Sequence, residues 1–161
     1  MKKALVFAAI LMLAACDDAK PSRAVAGEEA RELVAVTLDN RPLRLADYRG
    51  QVVVMNFWLA ECGPCLAEMP EFDSFYKDYR DKGIAVLAIN VGQNAETVTA
   101  VQRRLGVSFT LALDSLKITA ERYGVLAIPA SFIIDRKGAL IERIDGPLNR
   151  ALLIEKTAPL L

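Results

Sequence analysis

Two cysteines separated by two residues, in the segment Cys62-Gly63-Pro64-Cys65, are the side chains of this sequence best suited to chemistry. They follow residues 52–58, an apolar, β-branched and aromatic run typical of a buried strand, and they precede a helical pattern. The amino terminus of a helix favours a thiolate over a thiol, because its free N–H groups and its dipole stabilise negative charge. We therefore expect a redox-active pair, in which Cys62 attacks a target disulfide and Cys65 then displaces the target.

The fraction of thiolate at neutral pH shows why the placement of Cys62 at the start of a helix matters. A free thiol with a pKa of ~8.5 is only ~3% ionised at pH 7. Lowering that pKa to ~7 requires about 2 kcal/mol of preferential stabilisation of the anion, and it leaves half of the thiol ionised. Intrinsic nucleophilicity falls less steeply than the thiolate fraction rises, so disulfide exchange becomes faster.

Two other interpretations of the cysteine pair are weaker. A zinc site needs about four ligands, and the sequence offers no His and no further Cys pair to complete one. A purely structural disulfide across two residues closes a very short loop and constrains the unfolded chain little.

Composition limits the remaining classes of function. The chain has 161 residues, of which 53% are hydrophobic and 25% charged, which is typical of one globular domain. Lys and Arg number 20, as do Asp and Glu, so no basic excess favours nucleic acid as a partner. The absence of His removes the commonest metal ligand, and we expect no metal site.

The elements that must position the cysteines alternate between strand and helix. Alternating apolar residues at 34–38 and 43–45, on either side of a turn, predict an amino-terminal β-hairpin. Apolar runs predict strands, and apolar residues three or four apart predict helices. The strands are predicted at residues 52–58, 84–91, 109–113, 131–134 and 139–144, and the helices at residues 66–79, 95–105, 116–123 and 148–157. This alternation predicts an α/β fold, and the hairpin near the end makes its sheet mixed.

The first fifteen residues have the pattern of a secretion signal. Two lysines precede residues 4–15, an uncharged stretch too short for the roughly 17–25 residues of a spanning helix. The end of this stretch, Leu13-Ala14-Ala15-Cys16, resembles the lipobox of bacterial lipoproteins, in which the cysteine is acylated. Ordinary cleavage that leaves a free Cys16 is the alternative. Asp17 resembles a signal for retention in the inner membrane, which implies a protein anchored on its periplasmic face.

We accordingly divide the chain into three parts. Residues 1–15 are the expected signal peptide, and residues 16–28 form a lipidated tether that is rich in polar residues and has no apolar period. Residues 29–161 form the expected domain. Multiple acyl chains on Cys16, at ~0.8 kcal/mol per buried CH₂, would hold it on a membrane stably.

Residues 57–65, which contain the motif, resemble the active-site segment of the thioredoxin superfamily. Three features are closer to its membrane-tethered TlpA/ResA-like branch: Asn56-Phe57-Trp58, Glu68-Met69-Pro70 and the predicted hairpin. The resemblance implies a three-layer α/β/α sandwich with a mixed central sheet and an added amino-terminal β-hairpin. It further implies a protein thiol–disulfide oxidoreductase, more a reductant than an oxidant, from a group whose members often act in cytochrome c maturation. We expect the protein to be a monomer. Such proteins use their disulfide without a further cofactor and draw electrons from an integral-membrane thiol carrier.

The same resemblance suggests roles for residues around the cysteines. Glu68 would accept a proton from the resolving thiol or shape the groove; alternatively, it is an acid that favours the amino-terminal half of its helix. Pro129 would be the cis-proline that faces the cysteines and pairs with a target peptide together with Ile128. Trp58 would line the site or simply fill the core. Gly63 and Pro64 would complete the surface that meets the substrate.

One residue differs from the pattern of the TlpA/ResA-like branch. Glu61 stands directly before Cys62, where Trp is common. A carboxylate at this position opposes the thiolate, so it should blunt the lowering of the thiol pKa or alter the choice of partner.

Three competing functions remain open. A thiol peroxidase of the peroxiredoxin type would place Thr where Leu59 stands, three residues before the cysteine. An envelope copper chaperone of this fold would use a CxxxC motif and a His, and the chain has neither. A structural or interaction module would not need either sulfur.

Overall fold

The computed structural model describes residues 24–161. The predicted signal peptide, residues 1–15, and the predicted lipidation site Cys16 lie outside the described residues. Between residues 24 and 161, no helix has the length and apolar character needed to cross a membrane.

Strands and helices alternate along the described chain, as the apolar pattern predicts. The strands are β1 (Val36–Thr37), β2 (Val52–Trp58), β3 (Ile84–Val91), β4 (Thr110–Asp114), β5 (Ala130–Ile134) and β6 (Leu140–Asp145). The helices are α1 (Gly63–Tyr79), α2 (Ala95–Leu105), α3 (Ile118–Arg122) and α4 (Arg150–Thr157). Short 3-10 turns occur at Leu45–Tyr48, Arg80–Lys82 and Ala158–Leu160.

The strands form one mixed sheet in the order β1-β4-β3-β2-β5-β6. Strands β2, β3 and β4 are parallel, whereas β1, β5 and β6 pair antiparallel with their neighbours. Every residue of β2 and β3 is buried, as expected for central strands covered on both faces. The carboxyl ends of β2, β3 and β4 meet at one edge of the sheet, and the two cysteines follow β2 there.

Helices cover both faces of the sheet. Val54 points into a core that includes Phe72 from α1 and Leu153 from α4, and α2 packs on the same face. Met55, the next residue of β2, points into a second core that includes Ala120 from α3. These two cores on opposite faces confirm the predicted three-layer α/β/α sandwich with a mixed sheet.

The predicted amino-terminal hairpin is present but shorter than expected. The Thr37 N–H donates to the carbonyl oxygen of Arg41 at 2.8 Å, and Val36 forms an isolated bridge with Pro42. Beyond Pro42 one more hydrogen bond joins the two arms, from the Leu43 N–H to the carbonyl oxygen of Ala35 at 3.0 Å. The prediction that the second arm extends through residue 45 is wrong, because Leu45–Tyr48 forms a 3-10 turn. The first arm, β1, is an edge strand paired with β4.

Several further boundaries differ from the prediction, among them those of α3 and β4. Leu116 lies outside α3 and is 77% exposed, although the spacing placed it on a helix face. The cause is local: Lys117 adopts a left-handed conformation with φ 60°, and the helix begins only at the following residue. Strand β4 starts at Thr110, one residue later than predicted, and ends at the buried Asp114.

The amino-terminal segment joins the sheet far from the cysteines. The Gly27 N–H donates to the carbonyl oxygen of Leu140 at 2.7 Å, where β6 begins. Leu140 pairs with Ile134, which in turn pairs with Val53 near the start of β2. The described chain therefore begins at the sheet end opposite the edge that carries Cys62.

Candidate active site

Cys62 and Cys65 form a disulfide bond, with an S–S distance of 2.04 Å and a Cα–Cα distance of 5.3 Å. Cys62 is the amino-terminal cap of α1, and its Sγ atom accepts a hydrogen bond from the Cys65 N–H at 3.2 Å. Cys62 is half-buried, whereas Cys65 has no exposed surface. The first sulfur is thus the one that another protein can reach, and the second lies behind it.

The local sequence fixes the start of α1 at the motif. The Cys62 N–H donates to the carbonyl oxygen of Leu59 at 3.2 Å, which closes a turn directly after β2. Pro64 lies in the first helical turn, where its missing N–H is not needed. A Cβ atom at Gly63 would meet nothing within 4 Å, so this glycine leaves the exposed surface beside Cys62 open. Both residues are exposed next to the half-buried sulfur.

Trp58 supports the motif from beneath. It ends β2, is completely buried and belongs to the same core as Cys65. Its indole Nε1 has no hydrogen-bond partner among the residues that the structure describes. The structure therefore places Trp58 in the core under the cysteines and not on the surface beside them.

Glu68 is buried one helical turn beyond Cys65. Its Oε1 atom accepts a hydrogen bond from Asn56 Nδ2 at 2.9 Å, and its Oε2 atom accepts one from the Leu148 N–H at 2.8 Å. Asn56 also donates to Ser131 Oγ at 3.0 Å, which ties the carboxyl group to β2 and β5.

Burial raises the pKa of Glu68 from 4.5 to about 7, because the charged form is poorly solvated there. The hydrogen bonds from Leu148 and Asn56 lower this pKa and offset part of the rise. A carboxyl group that titrates near neutral pH can gain or lose a proton readily under ordinary conditions.

The loop before β5 lies beside the end of β2. The Ile128–Pro129 peptide bond is cis, and Pro129 is buried while Ile128 is half-buried. The carbonyl oxygen of Pro129 accepts a hydrogen bond from the Gly146 N–H at 2.9 Å. Ala130 pairs with Phe57, so this loop reaches the sheet edge from which the cysteine motif projects.

A groove of about 340 Å³ runs beside the first turns of α1. The buried Glu68 forms part of its wall, and the exposed Glu71 lies on the same helix. The groove is lined by Pro64, Ala67, Glu68, Glu71, Pro147 and Leu148. It therefore extends from the cysteine motif to the loop between β6 and α4.

Glu61 is exposed and is held by a residue that the motif does not reveal. Its Oε2 atom accepts a hydrogen bond from Gln93 Nε2. Gln93 follows β3, and its Oε1 atom accepts from the Ala60 N–H at 2.8 Å and from Asn90 Nδ2 at 2.7 Å. The segment before Cys62 is therefore fastened to the end of the neighbouring strand.

Sequence reasoning names the cysteines, Glu68 and Pro129 but misses Gln93 and Leu148. Gln93 could have been suspected, because it follows a strand parallel to β2 and therefore lies at the same sheet edge. Leu148 contributes only its backbone N–H, 80 positions away from Glu68, and no sequence signal marks it. Within the part of the chain that the structure describes, no group of three or more Cys, Asp or Glu is arranged to hold a metal ion.

The fold and this site together define a class of protein. An accessible cysteine at the start of a helix, a buried partner two residues further and a cis-proline loop on a mixed sheet are the features of a thioredoxin-fold thiol–disulfide oxidoreductase.

Comparisons with known proteins agree with that class. The thiol-disulfide oxidoreductase ResA of Geobacillus thermodenitrificans is 36% identical over 124 residues, which are 77% of this chain and 71% of that protein. The ResA of Bacillus thuringiensis is 29% identical over 96% of this chain and 95% of its own. A Chlorobium tepidum crystal structure, provisionally assigned as the thiol:disulfide interchange protein DsbE, superposes with a TM-score of 0.78 at 28% identity. It covers 85% of this chain and 99% of its own.

Residues 26–143 match the AhpC/TSA family. The chain belongs to this family and, within it, to the ResA-like thiol–disulfide oxidoreductases.

Proposed function

We propose that this protein reduces disulfides of other proteins on the periplasmic face of the bacterial inner membrane. Cys62 is the attacking residue and Cys65 the resolving one. The observation that supports this assignment most directly is the unequal burial of the two sulfurs, because only Cys62 is accessible to a second protein. The bonded pair in the structure corresponds to the oxidised end state of the cycle.

The reaction starts from the reduced pair. The Cys62 thiolate attacks one sulfur of a target disulfide, and the other target sulfur leaves as a thiolate that takes up a proton. Cys65 then loses its proton and attacks the Cys62 sulfur, which releases the second target thiolate and forms the Cys62–Cys65 disulfide. Two electrons have passed from the protein to its target, and a dithiol donor must supply two electrons to restore the reduced pair.

Glu68 accepts the proton of Cys65 in the second step. It lies one helical turn beyond that cysteine, and its pKa of about 7 lets the carboxylate form take up a proton near neutral pH. The hydrogen bonds from Asn56 and Leu148 fix the orientation of the carboxyl group, so both of its oxygens are held in place.

The target segment binds next to the cis-proline loop. Ile128 and Pro129 precede β5, and an extended peptide laid beside them would add a strand to this edge of the site. Gly63 and Pro64 form the exposed surface next to the attacking sulfur. The exposed Glu61 would face the part of the partner that approaches Cys62.

The sequence pattern of the first sixteen residues supports a placement in the cell. Acylated Cys16 anchors the chain, and the domain receives electrons from an integral-membrane thiol carrier. Proteins of cytochrome c maturation are the expected class of target.

Trapping and redox titration test the assignment together. Cys65→Ser should hold target proteins as mixed disulfides on Cys62, and Cys62→Ser, the matched control, should hold none. Equilibration with thiol buffers should give the Cys62–Cys65 pair a reducing potential, near the values of thioredoxin-type proteins. A potential near ~−120 mV would contradict the reductant assignment, and equal trapping by both variants would contradict the roles of the cysteines.

The anchor has its own test. Labelled fatty acid should be incorporated into the wild type, and Cys16→Ser should abolish both the label and membrane retention. Retention in the membrane without any label would contradict the proposal. Release of an unlabelled protein with a free Cys16 would support ordinary signal cleavage instead.

A further inference from the structure

Gln93 makes three side-chain hydrogen bonds around the segment that precedes the attacking cysteine. Its Oε1 atom accepts from the Ala60 N–H and from Asn90 Nδ2, and its Nε2 atom donates to Glu61 Oε2. The residue is half-buried and follows β3, so it belongs neither to the motif nor to the helix that carries the motif.

The two accepted hydrogen bonds decide which way the Gln93 amide points. A carbonyl oxygen has two lone pairs, and the donors from Ala60 and Asn90 occupy both. The opposite amide orientation would direct an NH₂ group at the Ala60 N–H, a backbone group that can only donate, and would lose that bond. The NH₂ group must therefore face Glu61, whose carboxylate can only accept when it is ionised.

The strand order shows where this arrangement puts the carboxylate. Strand β2 lies between β3 and β5. Gln93 follows β3, whereas Pro129 precedes β5, so the two residues flank the cysteine motif from opposite sides. Gln93 therefore holds the Glu61 carboxylate on the side of the motif away from the cis-proline loop.

Asn90 anchors Gln93 to the sheet. Asn90 is completely buried and is the register partner of Trp58, the last residue of β2. The chain of hydrogen bonds thus starts in the core, passes through Gln93 and ends at Glu61 and Ala60, directly before Cys62. A buried anchor of this kind keeps a surface side chain in one place at little cost in entropy.

We propose that Gln93 is a positioning residue, which keeps the Glu61 carboxylate away from the Cys62 sulfur and so preserves the acidity of that thiol. A negative charge next to a thiol disfavours the thiolate, and Glu61 is adjacent to Cys62 in sequence. Gln93 weakens this opposition by binding the carboxylate on the β3 side. The inference rests on the proposed function, since it takes Cys62 as the attacking thiol.

Other charged groups near the site do not take over the contact between Gln93 and the Glu61 carboxylate. Glu68 is buried and its oxygens are bound to Asn56 and Leu148, and Glu71 lies further along α1 on the groove. The side chain of Lys117, before α3, packs over Gly92, so that a Cβ there would fall 2.5 Å from its Cε. These three groups are the same in all the variants below, so comparison of the variants removes their contribution.

The experiment measures the pH dependence of alkylation of the reduced full-length protein by iodoacetamide, with the modified cysteine identified by mass spectrometry. The set consists of the wild type, Gln93→Met, Glu61→Gln and the double variant. We expect Gln93→Met to raise the pKa of the Cys62 thiol by about half a unit and Glu61→Gln to lower it by a similar amount. In a protein that already carries Glu61→Gln, Gln93→Met should change the pKa of the Cys62 thiol little, because the Glu61 carboxylate that Gln93 binds is absent.

A second substitution guards against a merely structural explanation. Gln93→Glu keeps an oxygen to accept from Ala60 and Asn90 but replaces the donor to Glu61 by a second carboxylate, so it should raise the Cys62 pKa above that of Gln93→Met. Gln51→Met is the matched control, because Gln51 precedes β2 at the opposite end of that strand. It should leave the Cys62 titration unchanged.

The possible outcomes distinguish a failure of the role of Gln93 from a failure of the proposed function. An unchanged Cys62 titration in Gln93→Met, or an equal shift in both Glu61 backgrounds, would overturn the role of Gln93. If Cys62 of the wild type itself ionised no more readily than an ordinary thiol, the proposed function would fail instead.

Discussion

The buried carboxyl group of Glu68 and the side-chain amide of Asn56 are joined by a hydrogen bond of 2.9 Å beneath the cysteine pair. Asn56 lies in the middle of β2 and Glu68 on α1, so this bond links the central strand to the helix that carries both sulfurs. The Asn56 amide can donate to both the ionised and the protonated form of the Glu68 carboxyl group. Glu68 therefore keeps its orientation as it titrates.

The first prediction concerns stability against pH. The pKa of Glu68 is raised to about 7 in the folded protein, whereas in the unfolded chain it is near 4.5. Between these values the folded state binds more protons, so the free energy of unfolding falls as pH rises and levels off above about pH 7. The contribution is at most about 3 kcal/mol. Denaturant unfolding of Glu68→Gln from pH 4.5 to 8 should lack this decline.

Glu71→Gln is the control for that experiment, because Glu71 is an exposed acid on the same helix. It should keep the decline of the wild type. A Glu68→Gln variant that loses stability with rising pH as steeply as the wild type would show that another group is responsible.

The second prediction concerns the amide partner. Asn56→Ala removes a hydrogen bond that lowers the pKa of Glu68, so that pKa should rise by about one further unit. Isotope-edited infrared or NMR titration of the glutamate carboxyl groups measures it directly. A Glu68 pKa that stays the same or falls would mean that Asn56 does not stabilise the ionised carboxyl group.

The third prediction separates the two chemical steps. If Glu68 accepts the proton of Cys65, Glu68→Gln should slow the resolution of a mixed disulfide by about tenfold or more and leave the first attack nearly unchanged. Rapid acid quenching after mixing the reduced protein with a model disulfide peptide measures both steps. An unchanged lifetime of the mixed disulfide would assign Glu68 a structural role only, with Glu71→Gln again as the comparison.

The fourth prediction addresses peroxide chemistry. Leu59 stands where a peroxidase of the related type would have Thr, and Cys62 is already bonded to Cys65 in the structure. The reduced protein should therefore react with hydrogen peroxide at about the rate of an ordinary thiolate, while it exchanges rapidly with a disulfide peptide. Fast consumption of peroxide without a dithiol partner would contradict this prediction.

Much of the fold could be predicted because local signals agreed with the final packing. Strand β3 and helix α2 have the predicted bounds, since a continuous apolar run marks the strand and residue types with known end preferences mark the helix. Asn94 caps the start of α2 through a hydrogen bond to the Thr97 N–H, and Gly106 ends it in a left-handed conformation.

The errors arise where the local backbone departs from a pattern of apolar residues. Leu43 and Leu45 alternate as in a strand and both are buried, but a 3-10 turn begins at Leu45. Leu116 has helical spacing, but the left-handed Lys117 delays the helix.

The parts of the site that are local in sequence were predictable, whereas the contacts between residues distant in sequence were less so. The cysteine motif and the proline loop have recognisable local sequences. The burial of Glu68 depends on the loop at Leu148, and the attachment of Glu61 depends on Gln93, 32 positions away. Contacts of this kind follow from the packing of the sheet edge, for which a single sequence carries no direct signal.

The central claim is that Cys62, at the start of α1, ionises readily and attacks other disulfides. Its most direct test is the pH dependence of alkylation of the reduced wild-type protein, with Cys62 and Cys65 read separately. Cys62 should react first and be about half ionised near pH 7, while Cys65 should stay protonated to higher pH. A Cys62 that remains protonated above pH ~8.5, the value of an ordinary thiol, or that reacts after Cys65, would contradict it.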